Sequence, residues 1–542
     1  MASNKGKNRL LFLGKCCTVL ITFNLRGIMK KLKLAVVSSI FVVLGACGSS
    51  SDTADTADTA VTTVVVAESG PKSVSIVVDA QNTQWDPIFS GTEYESPQLD
   101  MFYDTLMRKD AAGESLPELA ESWSFNADGL LLNLRPGVVF QDGTPFNAEA
   151  VKINLDRARG DEKSTLKGEL STITDVIVVD EFTVQLVMDS IFLPIISTLC
   201  SRPGMMASPT AIAAGTLGQT PVGAGPFKMG TMVKGVKHTA EKWDGYWNPE
   251  IVGLDTILVT AFIDESTRLN GLRTGIFDLA MLKVTQVQEA ESAGLKLVIY
   301  PLQTVTSLQI ASNNIPCLVE PLCVQAMMHA IDRESIVKNV LNGLGVATEQ
   351  YFPPGTLAHD PELKPLYPYD VAKAKALMAE AGFPDGFSFK LNYGSTPSIQ
   401  ELEAIQGMLA LAGITMTIEQ LPGSESIKRM WFEKTGQAVA VPGNSQSDPS
   451  LSVGYFLAGN VRNPGGYENP KFMKLYQKTL VLSDPVERKK ALQAMSRELT
   501  SNPYSVIPLY TNTGVWGISE KVVGFQPFAQ NIWQLRGVTT ED

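Results

Sequence analysis

The stretch Leu116–Arg157 reads LPELAESWSFNADGLLLNLRPGVVFQDGTPFNAEAVKINLDR, and its punctuation carries most of the information. Asn126-Ala127-Asp128-Gly129 is a turn signal between two runs that alternate apolar and polar residues, so it predicts a β-hairpin. Gln141-Asp142-Gly143-Thr144 is a second turn. Asn147 then stands where a helix N-cap belongs, ahead of AEAVKINLDRA. Gly137, Asp142 and Gly143 shape turns rather than carry chemistry.

Working outward, SVSIVVDA from Ser73 predicts a strand, and a helix is expected near Pro97 to Met107. TITDVIVVDEFTVQLVM predicts a hairpin around Asp180-Glu181, rich in Val and Ile. The second half alternates helix and strand. Ser398 and Glu401 have capping-box spacing. Leu402, Ile405, Leu409 and Ala412 then hold one helical face, Gly413 ends it, and Ile414, Met416 and Ile418 alternate as a strand. YDVAKAKALMAEAGFPDG repeats the logic, with Asp370 as cap and Gly382-Phe383-Pro384 as stop, and Asp332 caps a helix expected to end near Gly343. Helix followed by strand predicts α/β lobes.

The N-terminal region has a different grammar. Lys30, Lys31 and Lys33 precede the apolar run Leu34–Leu44, which is shorter than the roughly 20 apolar residues a spanning helix needs. A basic region, a short apolar region and small residues describe a secretory signal peptide over 1–46. Leu44-Gly45-Ala46-Cys47 resembles the lipobox of bacterial lipoproteins, which makes Cys47 the acylated mature N-terminus. Residues 1–28 sit upstream of this unit, so Met29 is expected to be the true start. SSSDTADTADTA then predicts a flexible acidic tether over 47–68, because it offers too little apolar surface to offset chain entropy.

The formal charge is −11, and residues 1–46 hold eight of the Lys and Arg with no acid, so the remainder is near −19. That excludes nucleic acid as a partner, since phosphates require basic patches. Beyond Cys47 the cysteines are Cys200, Cys317 and Cys323. Cys317 and Cys323 are close enough for a local bridge in an exported compartment, but spacing alone leaves bridged and free thiols both open. His238, His329 and His359 have no metal-ligand spacing, so no metal is expected. VGAGPFKMG lacks the ending of a phosphate loop and the spacing of a dinucleotide fingerprint, so no cofactor is expected. No residues assemble a nucleophile, base and oxyanion donors, which argues against an enzyme.

Five blocks in register resemble the family 5 extracellular solute-binding proteins, the oligopeptide- and dipeptide-type binding components of ABC importers. They are Leu116–Arg157, PVGAGPFKMGTMVKGVKHTAEKWDGYW (Pro221–Trp247), DESTRLNGLRTGIFDLA, AMMHAIDRESIVKNVLNGLG and YPYDVAKAKALMAEAGF. The resemblance implies an α/β, periplasmic-binding-protein-like (type II) fold: two lobes with a hinge, plus a subdomain inserted in the first lobe. By analogy lobe one takes 69–113, 221–303 and 509–542, the inserted subdomain 114–220, and lobe two 304–508. It further implies a monomer that closes around a peptide or small-molecule ligand and delivers it to an ABC permease, outside the cytoplasm. An exported enzyme using the same cleft, and a sensory binding protein docking on a membrane receptor, are the competing readings.

On the ligand this sequence departs from the pattern. Peptide-binding relatives often carry an Asp in a Trp-x-x-Asp-x-x-Asp-Pro run that pairs with the peptide's amino group. Here the run is VPGNSQSDPS: Asp448-Pro449 matches the Asp-Pro, Ser445 falls where the amine-pairing Asp would be, and Pro442 replaces the Trp. YGSTPSIQELEAIQ also lacks the Arg that some dipeptide binders use for the ligand carboxylate. A strict free-amine dipeptide is therefore disfavoured against a capped or modified peptide, an opine-like compound or a glycoside. The substrate-binding candidates are Tyr94 from lobe one and Tyr393, Ser395, Asn444, Ser445 and Asp448 from lobe two.

Overall fold

Gly129 closes the first hairpin at φ 134°, where an added Cβ would lie 2.2 Å from the Leu186 carbonyl oxygen. No other residue fits that close approach. The flanking strands, Ala120–Asn126 and Gly129–Leu134, join Thr183–Val187 and Asp175–Asp180 in a four-stranded antiparallel sheet, in that spatial order. The Asn147 side chain accepts from the Ala150 N–H at 3.0 Å and starts the helix Ala148–Gly160, which covers the sheet through Val151 and Leu155.

The structure is a computed structural model that describes residues 70–90, 96–111, 113–394, 397–421, 423–443, 448–530 and 532–541. The segments expected to be signal peptide and tether, with Cys47, and Tyr94, Ser395, Asn444 and Ser445 lie outside the described residues. Glu68–Asp542 forms one compact unit.

The main sheet has ten strands: β1 (Ser73–Val78), β2 (Phe227–Val233), β3 (Lys237–Lys242), β4 (Thr256–Ala261), β5 (Leu279–Leu282), β6 (Lys296–Ile310), β7 (Phe387–Tyr393), β8 (Ile414–Gln420), β9 (Ala438–Pro442) and β10 (Val506–Ile518). Their spatial order is β8-β7-β9-β6-β10-β5-β1-β4-β3-β2. The long antiparallel pair β6 and β10 therefore separates two groups of strands. Ile507, Leu509 and Tyr510 pack in a core with Leu308, Ile310, Met327, Leu391 and Leu409. Further along β10, Trp516 and Ile518 pack in another core with Ile76, Phe102, Ile257 and Trp533. One strand thus serves two cores.

Between those cores the ladder breaks. The register runs from Pro301 opposite Thr513 to Val305 opposite Thr511, so residues 302–304 face Asn512 alone. Side chains replace the missing ladder bonds. Asn512 donates to Thr304 Oγ1 at 2.9 Å and accepts from Thr306 Oγ1 at 2.7 Å. The Gln303 N–H donates to the Ala529 carbonyl at 2.6 Å, and Gln530 Nε2 donates to Gln303 Oε1 at 2.8 Å.

Two expectations shift. The helix expected from Pro97 to Met107 is confined to Ser96–Leu99, and Met107 lies in a strand, Met107–Lys109, paired with Ser115–Pro117. Met101–Met107 is buried throughout, and its backbone groups bond to other segments. The Phe102 carbonyl accepts the Gly225 N–H at 3.0 Å, the Asp104 carbonyl accepts Met206 at 3.0 Å, and the Leu106 N–H donates to Gly204 at 2.9 Å. Tertiary partners outcompete local helix bonds. The helix capped by Asp332 ends at Asn339, before the left-handed pair Asn342 and Gly343. The capping box forms: Glu401 Oε2 accepts the Ser398 N–H at 2.7 Å.

A buried ionic cluster fastens the four-stranded sheet to the rest. Arg536 Nη2 donates to Asp104 at 2.6 Å and its Nη1 bonds Glu118, while Trp247 donates to Asp104 at 2.6 Å and Thr105 to Glu118 at 3.0 Å. Burial pushes the Glu118 carboxyl from 4.5 to about 7, against the opposing pull of Arg536. The folded form then holds a proton between those values that the unfolded chain releases, so this group's contribution falls as pH rises from about 4.5 through 7. Glu118→Gln is expected to reduce the stability difference between pH 5 and pH 8, read by urea unfolding at both pH values; an undiminished difference contradicts the assignment.

Candidate ligand-binding site

The candidate site grows from the carboxyl end of β9. Gly443, the residue after β9, donates its N–H to the Val305 carbonyl at 2.9 Å, which ties the departing chain to β6 beside the ladder break. The chain is fixed again at Asp448, which is 9 % exposed. Its carboxylate caps the 3-10 helix Pro449–Phe456 by accepting the Ser450 N–H at 3.0 Å and hydroxyl at 2.6 Å. Arg488 Nη2 reaches both of its oxygens, at 2.9 and 2.7 Å. Gly443 and Asp448, on either side of residues 444–447 in the sequence, are thus both tied to the body of the protein. The Asp448 charge is already neutralised within the protein.

Tyr393 is the last residue of β7 and is 5 % exposed. Its ring belongs to the core with Leu391, Leu402 and Ile405, and its carbonyl accepts the Leu421 N–H at 2.9 Å. Tyr393 thus ends β7 two residues before Ser395 in the sequence, and Asp448 caps the 3-10 helix three residues after Ser445.

Residues the sequence did not single out complete this corner. Gln303, Val305, Tyr351, Phe352, Gly443 and Pro449 line a void of about 10 Å³, room for one water at most. The Tyr351 hydroxyl donates to the Ser452 carbonyl at 2.9 Å. Gln530 is buried, and its Oε1 has no hydrogen-bond partner among the described residues. Glutamines far apart in the chain carry no pattern that would have marked them.

The other chemistry-bearing residues are structural. Cys317 and Cys323 form a disulfide, with Cα atoms 5.7 Å apart, joining the turn Pro316–Val319 to the helix Pro321–Ala330. Cys200 is a buried free thiol whose pKa burial raises. His238 is held to about 3 by burial, bonds Gln81 at 2.8 Å and stands edge-on to Trp85. Among the described residues no group of three or more His, Cys, Asp or Glu could hold a metal ion.

Residues 114–464 match the family described as bacterial extracellular solute-binding proteins, family 5 Middle. The chain belongs to that family. The glutathione-binding protein GsiB of Shigella flexneri is 28 % identical over 481 residues, spanning 84 % of this chain and 92 % of that protein. Its Escherichia coli K12 counterpart is 27 % identical over the same shares. Among solved structures, the periplasmic binding protein DppA of Helicobacter pylori in complex with the peptide STSA aligns with a TM-score of 0.77 at 24 % identity, covering 87 % of this chain and 98 % of that one. AgaA of A. tumefaciens R10 in complex with agropinic acid gives 0.77 at 23 % identity, covering 87 % and 99 %.

The mixed α/β architecture is thus the type II periplasmic-binding-protein fold of family 5. Family 5 proteins are binding proteins that work outside the cytoplasm, and no helix among the described residues is long and apolar enough to cross a membrane. In this family member, Arg488→Met should strand a buried carboxylate at Asp448. We expect a loss of about 3–5 kcal/mol in urea unfolding, with Asp448→Asn/Arg488→Met recovering part of it. A loss below about 1 kcal/mol would show that the pair does not anchor the loop.

Proposed function

We propose that the chain is the lipid-anchored receptor of an ABC importer that captures a modified peptide of the glutathione class by closing two lobes around it. Likeness to glutathione-binding proteins along 84 % of the chain carries this reading. The lobes are 69–113 with 221–303 and 509–542, and 304–508, with 114–220 inserted in the first. The ladder break at 302–304 is their hinge. The ligand contacts are Tyr94, Ser395, Asn444 and Ser445, with Tyr393 supporting them from the end of β7 and Asp448 from the cap of the 3-10 helix Pro449–Phe456. Cys47 carries the lipid and keeps the receptor beside its permease, raising effective concentration there.

The absence of a carboxylate at Ser445 supports a ligand whose amine is not enclosed as an α-ammonium at that point. Glutathione fits in one respect: its first peptide link runs through a side-chain carboxyl, so its free α-ammonium lies further from that link than in an α-linked peptide and has its own carboxylate beside it. The range of compounds held by proteins of this fold, a peptide in DppA and agropinic acid in AgaA, is compatible with such a choice.

Closure is measurable by tryptophan fluorescence. Titration with reduced glutathione is expected to give a saturable change, and the tetrapeptide STSA a weaker one. Ser445→Asp should tighten STSA by about tenfold, the size of one modest ion pair, while leaving glutathione the same or weaker. Absence of any response to glutathione, STSA or agropinic acid would end the reading. Separately, Cys47→Ser should move the protein from the membrane fraction to the soluble one.

A further inference from the structure

A cavity of about 450 Å³ lies on the face of β7 and β8 opposite the helix Ile399–Leu411. Phe389 and Leu391 point from β7 into the core with that helix, so their neighbours Lys390 and Asn392 point the other way. They form the cavity wall with Glu419, Arg429 and Gln437.

The wall has an unmet demand. Asn392 is 4 % exposed, and its Oδ1 has no hydrogen-bond partner among the described residues. A buried acceptor left unpaired forfeits the hydrogen bonds it would make with water in the unfolded chain. Directly across the ladder from Asn392 stands Glu419. Its carboxylate meets its cations at long range, Lys390 Nζ at 3.5 Å and Arg429 Nη1 at 3.9 Å.

The frame around the wall is irregular. Arg429 sits on a π-helical turn, Lys428–Phe432, a rare geometry that recurs at functional sites. Lys434 follows in the left-handed region at φ 55°, uncommon for a residue with a side chain. Gln437 is held in place, accepting the Lys390 N–H at 2.7 Å.

The cavity therefore offers an unpaired carbonyl and a carboxylate from neighbouring strands, and around them the Lys390 ammonium and the Arg429 guanidinium, whose Nε also donates to Glu425 at 2.8 Å. That arrangement is complementary to a small zwitterion. We propose that it is a second ligand site, separate from the cleft, which takes a free α-amino acid. The amino acid's ammonium donates to Asn392 Oδ1 and Glu419, and its carboxylate accepts from Arg429 and Lys390. A lone water would satisfy Asn392 but would leave most of the volume unused.

The test is calorimetric titration of the compact unit from Glu68 with glycine, L-serine, L-glutamine and L-glutamate as probes. At least one is expected to bind saturably at one site with Kd below about 1 mM, an ordinary affinity for a ligand this small. Asn392→Leu and, independently, Arg429→Met should each weaken that binding at least tenfold, so a failure of one variant to fold leaves the other. Fluorescence titration with glutathione should be unaltered in both variants, which separates this site from the cleft reading. No saturable binding of any probe would overturn the proposal. So would binding that survives both substitutions, or binding lost on Ser445→Trp but kept in Asn392→Leu.

Discussion

The pairing of β6 with β10 is the constraint on which the molecule depends. These strands run antiparallel from Lys296 opposite Ile518 to Gln309 opposite Val506, and they hold the two groups of strands in one sheet. A continuous ladder over that length would resist bending, because every residue would be fixed by two neighbours. The interruption at 302–304 removes ladder bonds where the strand passes from one core to the other. What replaces them is a set of amide and hydroxyl contacts from Asn512, Thr304, Thr306, Gln303 and Gln530. Each such bond comes from a single side chain that can re-pair with a neighbour as the joint moves, although Thr304, Thr306 and Gln530 are buried, whereas ladder bonds lock whole strands together. A ligand-driven change from mostly open to mostly closed needs a differential affinity of about 5 kcal/mol. A joint stitched by a few exchangeable bonds is compatible with that figure.

Elsewhere the molecule is stiffened. The Arg536 cluster draws on the C-terminal segment, on Tyr246 and Trp247 near β3, and on Asp104 and Glu118 at the entrance to the four-stranded sheet. A cluster with three carboxylate and phenol partners for one guanidinium carries a large desolvation cost, and the rise of Glu118 to about 7 is its signature. Its value lies in position: it fixes the place where the chain enters the four-stranded sheet relative to the core of β1 and β4. The disulfide, the Ser398–Glu401 box and the Tyr510–Glu401 hydrogen bond do similar local work around the other core.

Local grammar was legible where local interactions decide structure. The turn at Gly129, the caps at Asn147, Asp370 and Ser398, and the alternation of β8 all follow from residues within a few positions of one another. Legibility failed at Met101–Met107, where the backbone bonds to Gly204, Met206, Gly225 and Phe227 join residues about a hundred positions away. It failed for the same reason at the ladder break, since Leu302-Gln303-Thr304 looks like any other stretch of strand. At the candidate site the sequence marked the loop as a whole but not the different surroundings of its residues. Asp448 reads as a free acid until Arg488, forty residues later, is seen against both of its oxygens.

That difference in surroundings bears on ligand chemistry. A carboxylate paired with a guanidinium and bonded to Ser450 has few lone pairs left, and separating it from Arg488 to meet a ligand ammonium would leave a buried cation unpaired. The exchange would return about what it removed, so Asp448 supplies no net affinity for an amine. With Ser445 in the other acidic position of the pattern, this loop has no spare negative charge among its named residues. On the proposed function, selection by the loop would then rest on neutral donors and acceptors, hydroxyls, amides and backbone groups. Such groups discriminate by placement rather than by charge, and they penalise a ligand mainly when it leaves one of them unpaired. A receptor built this way reads the pattern of amides and hydroxyls along its ligand more closely than it reads the terminus.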